Sequence, residues 1–111
     1  MFEDGFLRKA SEAAKRMRDA ELYMCQTLDA YNHAREDVEH EKSRLILSRE
    51  IAGRNEHERD AQLTAALKRQ KERVLAAHKA YMVAKAEWRY AEKVAEIWLL
   101  AGYVARKERD D

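Results

Sequence analysis

The chain has 111 residues, no proline, three glycines and one cysteine, and 22 Lys and Arg side chains nearly balance 21 Asp and Glu. Because helix breakers are almost absent, this composition predicts a single domain of long helices with a solvated surface. The net charge of +1 argues against a strong polyanion-binding surface.

The composition also bears on where the protein works. One cysteine excludes an internal disulfide bond, which favours a reducing compartment. The longest apolar run, 97–101, is far too short to span a membrane, and the first residues lack the layout of a signal peptide. We therefore expect a soluble, cytoplasmic protein that has no membrane partner.

The first half of the chain carries apolar or small residues at alternating steps of four and three. The series is Phe6, Ala10, Ala13, Met17, Ala20, Met24, Thr27, Tyr31, Ala34, Val38, Glu41, Leu45, Ser48 and Ala52. This rhythm predicts a first helix over about 5–52 with a heptad seam, the narrow line along which two helices pack.

The stretch 51–58 predicts a tight reversal of the chain. Gly53 is expected to take the left-handed conformation that ends a helix, because glycine has no Cβ to clash. Asn55 is expected to N-cap the next helix, with Glu58 completing a capping box. A turn over 53–55 would send the second helix back antiparallel to the first.

The second half of the chain repeats the rhythm and predicts a helix over about 56–107. Its seam is Leu63, Leu67, Gln70, Val74, Ala77, Tyr81, Ala84, Trp88, Ala91, Ala95, Trp98, Gly102 and Ala105. Folding the chain back about Arg54 places Phe6 opposite Gly102 and Ala20 opposite Trp88. Large residues then face small ones, which favours close packing. The predicted fold is an all-α, coiled-coil-like antiparallel hairpin.

Three features could carry chemistry, and each has a simpler interpretation. His33, Asp37 and His40 share one helix face at metal-ligand spacing, but they would point away from the seam, as a solvated face does. Cys25 has no histidine within four residues, which predicts a partly buried, unreactive thiol. Glu41 is expected to reach solvent or Lys71 rather than act as an acid or base.

The sequence contains neither a Gly-rich phosphate loop nor paired catalytic carboxylates, so we expect no enzymatic activity and no cofactor or metal. A short basic cluster offers an alternative function in nucleic-acid binding. Its members are Lys68, Arg69, Lys71 and Arg73. In the folded hairpin this cluster would lie beside the acidic segment 29–43, which partly cancels its charge.

A second apolar stripe lies off the seam of the second helix. It consists of Val83, Tyr90, Val94, Ile97, Leu100 and Val104, with Ala86 and Ala101 in the gaps. A two-helix hairpin leaves this apolar stripe in water, as it does Phe2, Leu7, Leu22 and Leu28, which predicts a partner. The partner could be a second copy, giving a homodimeric four-helix bundle through the open ends, or a groove or helix of another protein.

The turn and its flank carry the pattern Ile51-x-Gly53-x-Asn55-Glu56-x-x-Arg59-x-Ala61-x-Leu63. This pattern resembles one found in small helical proteins of bacteriophages and prophages. Such proteins include inhibitors of host defence, such as anti-CRISPR proteins, which act by binding and blocking. The resemblance implies a phage-encoded inhibitor or adaptor that meets a host or phage protein in the host cytoplasm.

Overall fold

The computed structural model describes the backbone of residues 2–110 and the side chains of residues 5–109. This part of the chain forms helices α1 (Phe2–Leu47), α2 (Glu56–Ala66) and α3 (Lys68–Asp110), and it contains no strand. The long helices α1 and α3 pack against each other as a hairpin, which confirms the predicted all-α fold. None of these helices has an apolar stretch that could cross a lipid bilayer.

The predicted seam is the buried line of the structure. Every seam residue from Phe6 to Leu45, and every one from Leu63 to Ala105, is buried or half-buried. The last two residues predicted for the first seam, Ser48 and Ala52, are exposed, because α1 ends at Leu47. The most deeply buried are Ala13, Thr27, Leu45, Leu67 and Ala84. Periodicity alone therefore identified the packing faces of both long helices, because residues at heptad spacing stay on one side of a helix.

The chain divides into two compact units, the first of which joins α1 up to Gln26 with α3 from Met82 onward. Here Phe6 packs edge-on against Trp98, with ring centroids 5.5 Å apart. A Cβ atom added to Gly102 would lie 2.9 Å from the Phe6 ring, so Phe6 rests on Gly102 as predicted. A large side chain packs on a residue that has none.

The second unit spans Thr27–Tyr81. Tyr31 stacks nearly parallel to Tyr81, with centroids 6.5 Å apart, and lies 5.1 Å from the His78 ring. The Arg35 guanidinium lies 5.4 Å from the centre of the Tyr31 ring. Aromatic contacts of Tyr31 with His78 and Tyr81 thus join α1 to α3 in this unit, whereas the cation–π contact lies within α1.

The end of α1 differs from the prediction. The helix ends at Leu47 rather than near residue 52, and Arg49, with φ 62°, takes the left-handed conformation that was expected of Gly53. The Arg49 N–H donates to the Ile46 carbonyl (3.2 Å), and the Ser48 hydroxyl donates to the Leu45 carbonyl (3.2 Å). These bonds satisfy carbonyls that the helix end leaves open. The connection to α2 is therefore longer than the predicted 53–55.

Gly53 is required for a different reason. A Cβ atom at this position would lie 2.8 Å from both the backbone nitrogen of Arg59 and Cβ of Glu58. Asn55 is the N-cap of α2, as predicted, and its Oδ1 accepts the Glu58 N–H at 2.9 Å. The Glu58 carboxylate accepts the N–H of Arg54 (2.8 Å), one residue earlier than a capping box requires.

The prediction of one uninterrupted second helix is wrong at Leu67. This residue separates α2 from α3, with φ −98° and ψ 4°. Its N–H still donates to the Leu63 carbonyl, and its own carbonyl accepts from Lys71, both at 2.9 Å. Leu67 is only 2% exposed. The break is therefore a local departure from helical backbone geometry at a deeply buried seam residue, whose own N–H and carbonyl keep i to i−4 hydrogen bonds.

Candidate protein-interaction site

The apolar stripe lies on α3 within the first unit and is largely open to solvent. Val83, Tyr90, Ile97, Leu100 and Val104 are between 46% and 73% exposed, with Tyr90 the most exposed. Val94 is half-buried. Positions seven residues apart share one helix face, and the seam occupies a different face of α3. The contacts with α1 therefore leave the stripe uncovered.

The exposed area of the stripe matches that of the largest apolar patch on a typical monomer. The five exposed side chains leave roughly 400 Å² uncovered. This takes about 60–120 Å² for a fully exposed Val, Leu or Ile side chain, from about 1.5–3 kcal/mol at about 25 cal/mol per Å², and about 150–250 Å² for Tyr. The largest apolar patch on a typical monomer is about 300–600 Å² and is often functional. Ala86 and Ala101 are exposed within the stripe. They leave shallow gaps between the larger side chains, into which a partner's side chains could fit.

Other apolar side chains add to the exposed surface of the first unit. Leu7 and Leu22, named from the sequence, are exposed, whereas Leu28 in the second unit is half-buried. The side chain of Phe2 lies outside the described residues. Sequence reasoning missed Leu99 and Tyr103, which are 77% and 64% exposed. The signal was present, because both lie off the seam in the most apolar part of α3.

The basic cluster lies at the start of α3, and all four of its side chains are exposed. Lys71 lines an open groove of about 760 Å³ together with Glu36, Glu39 and His40. Acidic residues of α1 therefore border the basic cluster, as the predicted fold implied. A phosphate backbone at this groove would meet carboxylates as well as ammonium groups, which weakens its electrostatic attraction.

Glu41 is held by a neighbour on its own helix. Its carboxylate accepts two hydrogen bonds from Arg44, at 3.0 and 2.6 Å, rather than contacting the predicted Lys71. These hydrogen bonds, aided by the attraction of the guanidinium charge, lower the pKa of Glu41 and raise that of Arg44. Arg44 also lies 3.5 Å from Glu50. Glu41 therefore belongs to an ion-pair cluster with Arg44 and Glu50 near the end of α1.

The remaining chemical candidates lie apart from one another. Cys25 is exposed, so the prediction of partial burial is wrong. The reason is its position, one residue past the seam, where the helix turns its side chain towards water. His33 lies 3.9 Å from Glu36. Within the described residues, no three His, Cys, Asp or Glu side chains come close enough together to hold a metal ion.

No protein-family model matches the chain, and no curated protein or solved structure matches it either. Function is therefore inferred from the chain's own surface and from the resemblance of its turn. The apolar stripe is the feature of that surface with the clearest physical consequence.

Proposed function

We propose that the protein is a non-enzymatic protein-binding module that acts through the apolar stripe of α3. The observation that carries the proposal is the exposure of the stripe, which reaches 73% at Tyr90. Removing roughly 400 Å² from water would contribute about 10 kcal/mol at about 25 cal/mol per Å². Most of this gain would offset lost translational freedom and side-chain ordering on binding, but a useful affinity can remain.

The composition of the stripe suits an interface. Tyr90 combines a large ring with a hydroxyl group, and tyrosine is enriched among the residues that dominate binding energies. Exposed charged residues, including Glu87, Lys93 and Glu96, lie along its borders. An apolar centre with a charged rim is the usual anatomy of a protein–protein interface.

The resemblance of the turn to small phage proteins supports a more specific role. In this proposal the protein is a phage-encoded inhibitor or adaptor that blocks a host protein in the cytoplasm. Such a role needs a binding surface and no catalytic group, which agrees with the prominence of the apolar stripe.

The proposal is tested by retrieving partners from bacterial lysate with the tagged protein. The variant Tyr90→Glu/Ile97→Glu should lose the specific partners, because it places two charges on the stripe. Leu75→Glu is the matched control, since Leu75 is 62% exposed but lies in the second unit. This control should retain the partners. Equal retrieval by all three proteins, with helical circular dichroism intact, would refute a binding role for the stripe.

A second candidate function is that of a nucleic-acid-associated accessory protein. Its support is the exposure of Lys68, Arg69, Lys71 and Arg73 at the start of α3. A mobility shift of DNA or RNA that weakens with salt, and is lost in Lys68→Glu/Arg69→Glu, would favour this function. A shift that the charge reversal leaves unchanged would exclude the cluster as the contact.

A further inference from the structure

We propose that the occupant of the apolar stripe is a second copy of this chain, whose α3 lies antiparallel to the first. The twofold axis crosses the helix pair at the level between Ala95 and Glu96. This inference rests on the proposed function, because it names the partner of the same surface. A twofold interface joins one patch to itself, so the stripe must be complementary to its own reversed copy.

The side-chain sizes meet this requirement. In the proposed register Tyr90 faces Ala101 of the second copy, and Ile97 faces Val94 of the second copy. Symmetry repeats each contact. The exposed Tyr90 ring thus meets the gap at Ala101, and the half-buried Val94 meets a larger side chain. Phe6 packs on Gly102 within the chain by the same matching of large to small.

Two neighbouring alignments of the paired α3 helices, each shifted by one heptad, are less favourable. Shifting the second helix by one heptad in one direction places Glu87 against Ile97. The opposite shift places Glu108 against Tyr90. In the proposed register the same two carboxylates, Glu87 and Glu108, instead face the smaller Val104 and Val83 near the two ends of the stripe, where they stay closer to water. This placement favours the proposed register over the two heptad shifts.

The charges on the border agree with the same register. The exposed Glu87 falls beside Val104 and the exposed Lys107 of the second copy, which gives two opposite-charge pairs by symmetry. Lys93 falls beside Leu100 of the second copy, where its aliphatic stem can cover apolar surface while the ammonium group stays in water. Opposite charges at such border positions favour one partner and one orientation.

The available area supports a reversible dimer. Two stripes of roughly 400 Å² would bury about 800 Å² in total, below the 1,200–2,000 Å² of standard-size interfaces and in the range of weak, transient ones. We therefore expect monomers at low concentration and dimers at high concentration. Sedimentation equilibrium of the full chain between about 1 and 200 μM measures this directly.

Charge reversal tests whether the partner is a second copy. Glu87→Lys should weaken the dimer about two- to thirty-fold, because each of two exposed pairs contributes about 0.2–1 kcal/mol. The double variant Glu87→Lys/Lys107→Glu should restore it. Both residues are exposed, so neither change should disturb the hairpin fold. A dimer that Glu87→Lys leaves unaffected, or that the double reversal fails to restore, would overturn the register.

Cross-linking gives an independent test in a Cys25→Ser background. Tyr90→Cys/Ala101→Cys should form a covalent dimer on oxidation. The two new thiols are about 16 Å apart along one helix and cannot bridge within one chain. Tyr90→Cys/Glu108→Cys is the matched control and should cross-link only in the shifted register. Preferential cross-linking of this control would contradict the proposal.

A chain that stays monomeric up to about 200 μM would overturn self-pairing. The proposed function would survive that result if the lysate experiment still retrieved a partner that Tyr90→Glu/Ile97→Glu lost. Failure of both experiments would refute the stripe as a binding surface. The two hypotheses are therefore separable.

Discussion

Replacing Gly53 with alanine would add a methyl group 2.8 Å from two atoms in the first turn of α2, the backbone nitrogen of Arg59 and Cβ of Glu58. A third atom, the carbonyl carbon of Glu58, would lie 3.0 Å away. Two of these atoms belong to the helix backbone, which cannot move aside without disturbing the Asn55 cap. We expect a loss of about 1–3 kcal/mol in the free energy of unfolding, as for other overpacked positions.

The other two glycines are internal controls for this prediction. A Cβ atom at Gly5 meets nothing within 4 Å, so Gly5→Ala should be neutral or should stabilise α1 by up to about 1 kcal/mol. At Gly102 the nearest atoms belong to the Phe6 ring. A ring can rotate away more easily than backbone, so Gly102→Ala should cost less than Gly53→Ala.

Urea denaturation followed by circular dichroism would rank the three variants. The expected order of stability is Gly5→Ala, then Gly102→Ala, then Gly53→Ala, with similar dependence on urea concentration for all three. A Gly53→Ala protein as stable as the parent would refute the close approach of this residue to α2. Because Gly53 does not have a positive φ, left-handed strain cannot account for a loss of stability.

Three further outcomes follow from single contacts. Gln70 has a buried Oε1 atom with no hydrogen-bond partner among the described residues. Gln70→Leu should therefore raise the urea midpoint by an amount equivalent to about 1 kcal/mol. An unchanged or lower midpoint would contradict this expectation. Ala20→Trp should overpack the seam against the predicted partner Trp88 and destabilise the fold by about 1–3 kcal/mol in thermal melts. An unchanged melting temperature would contradict the predicted pairing of Ala20 with Trp88 in the hairpin. Arg44→Ala should return the pKa of Glu41 upward towards 4.5 in an NMR titration. Since the folded-state pKa is lowered, this ion pair stabilises the protein above the unfolded pKa, and its contribution is lost as the pH falls through the folded value.

Features that depend on residues close in sequence were predictable. The alternation of four and three steps identified the seam on both long helices, because helical geometry alone decides which residues share a face. The same geometry placed Val83, Tyr90 and Ile97 off the seam, and the structure leaves them exposed. The Asn55 cap also needs only the residue three positions later.

Features that depend on packing between elements required the tertiary structure. The sequence pattern predicts that Gly53 ends a helix. In the structure its lack of a side chain instead permits the close approach to Glu58 and Arg59, and Arg49 takes the left-handed conformation. The helix break at Leu67 likewise has no glycine or proline beside it from which it could be predicted. Backbone conformation at such points follows from which atoms the folded chain brings within van der Waals distance, and a linear pattern does not contain those distances.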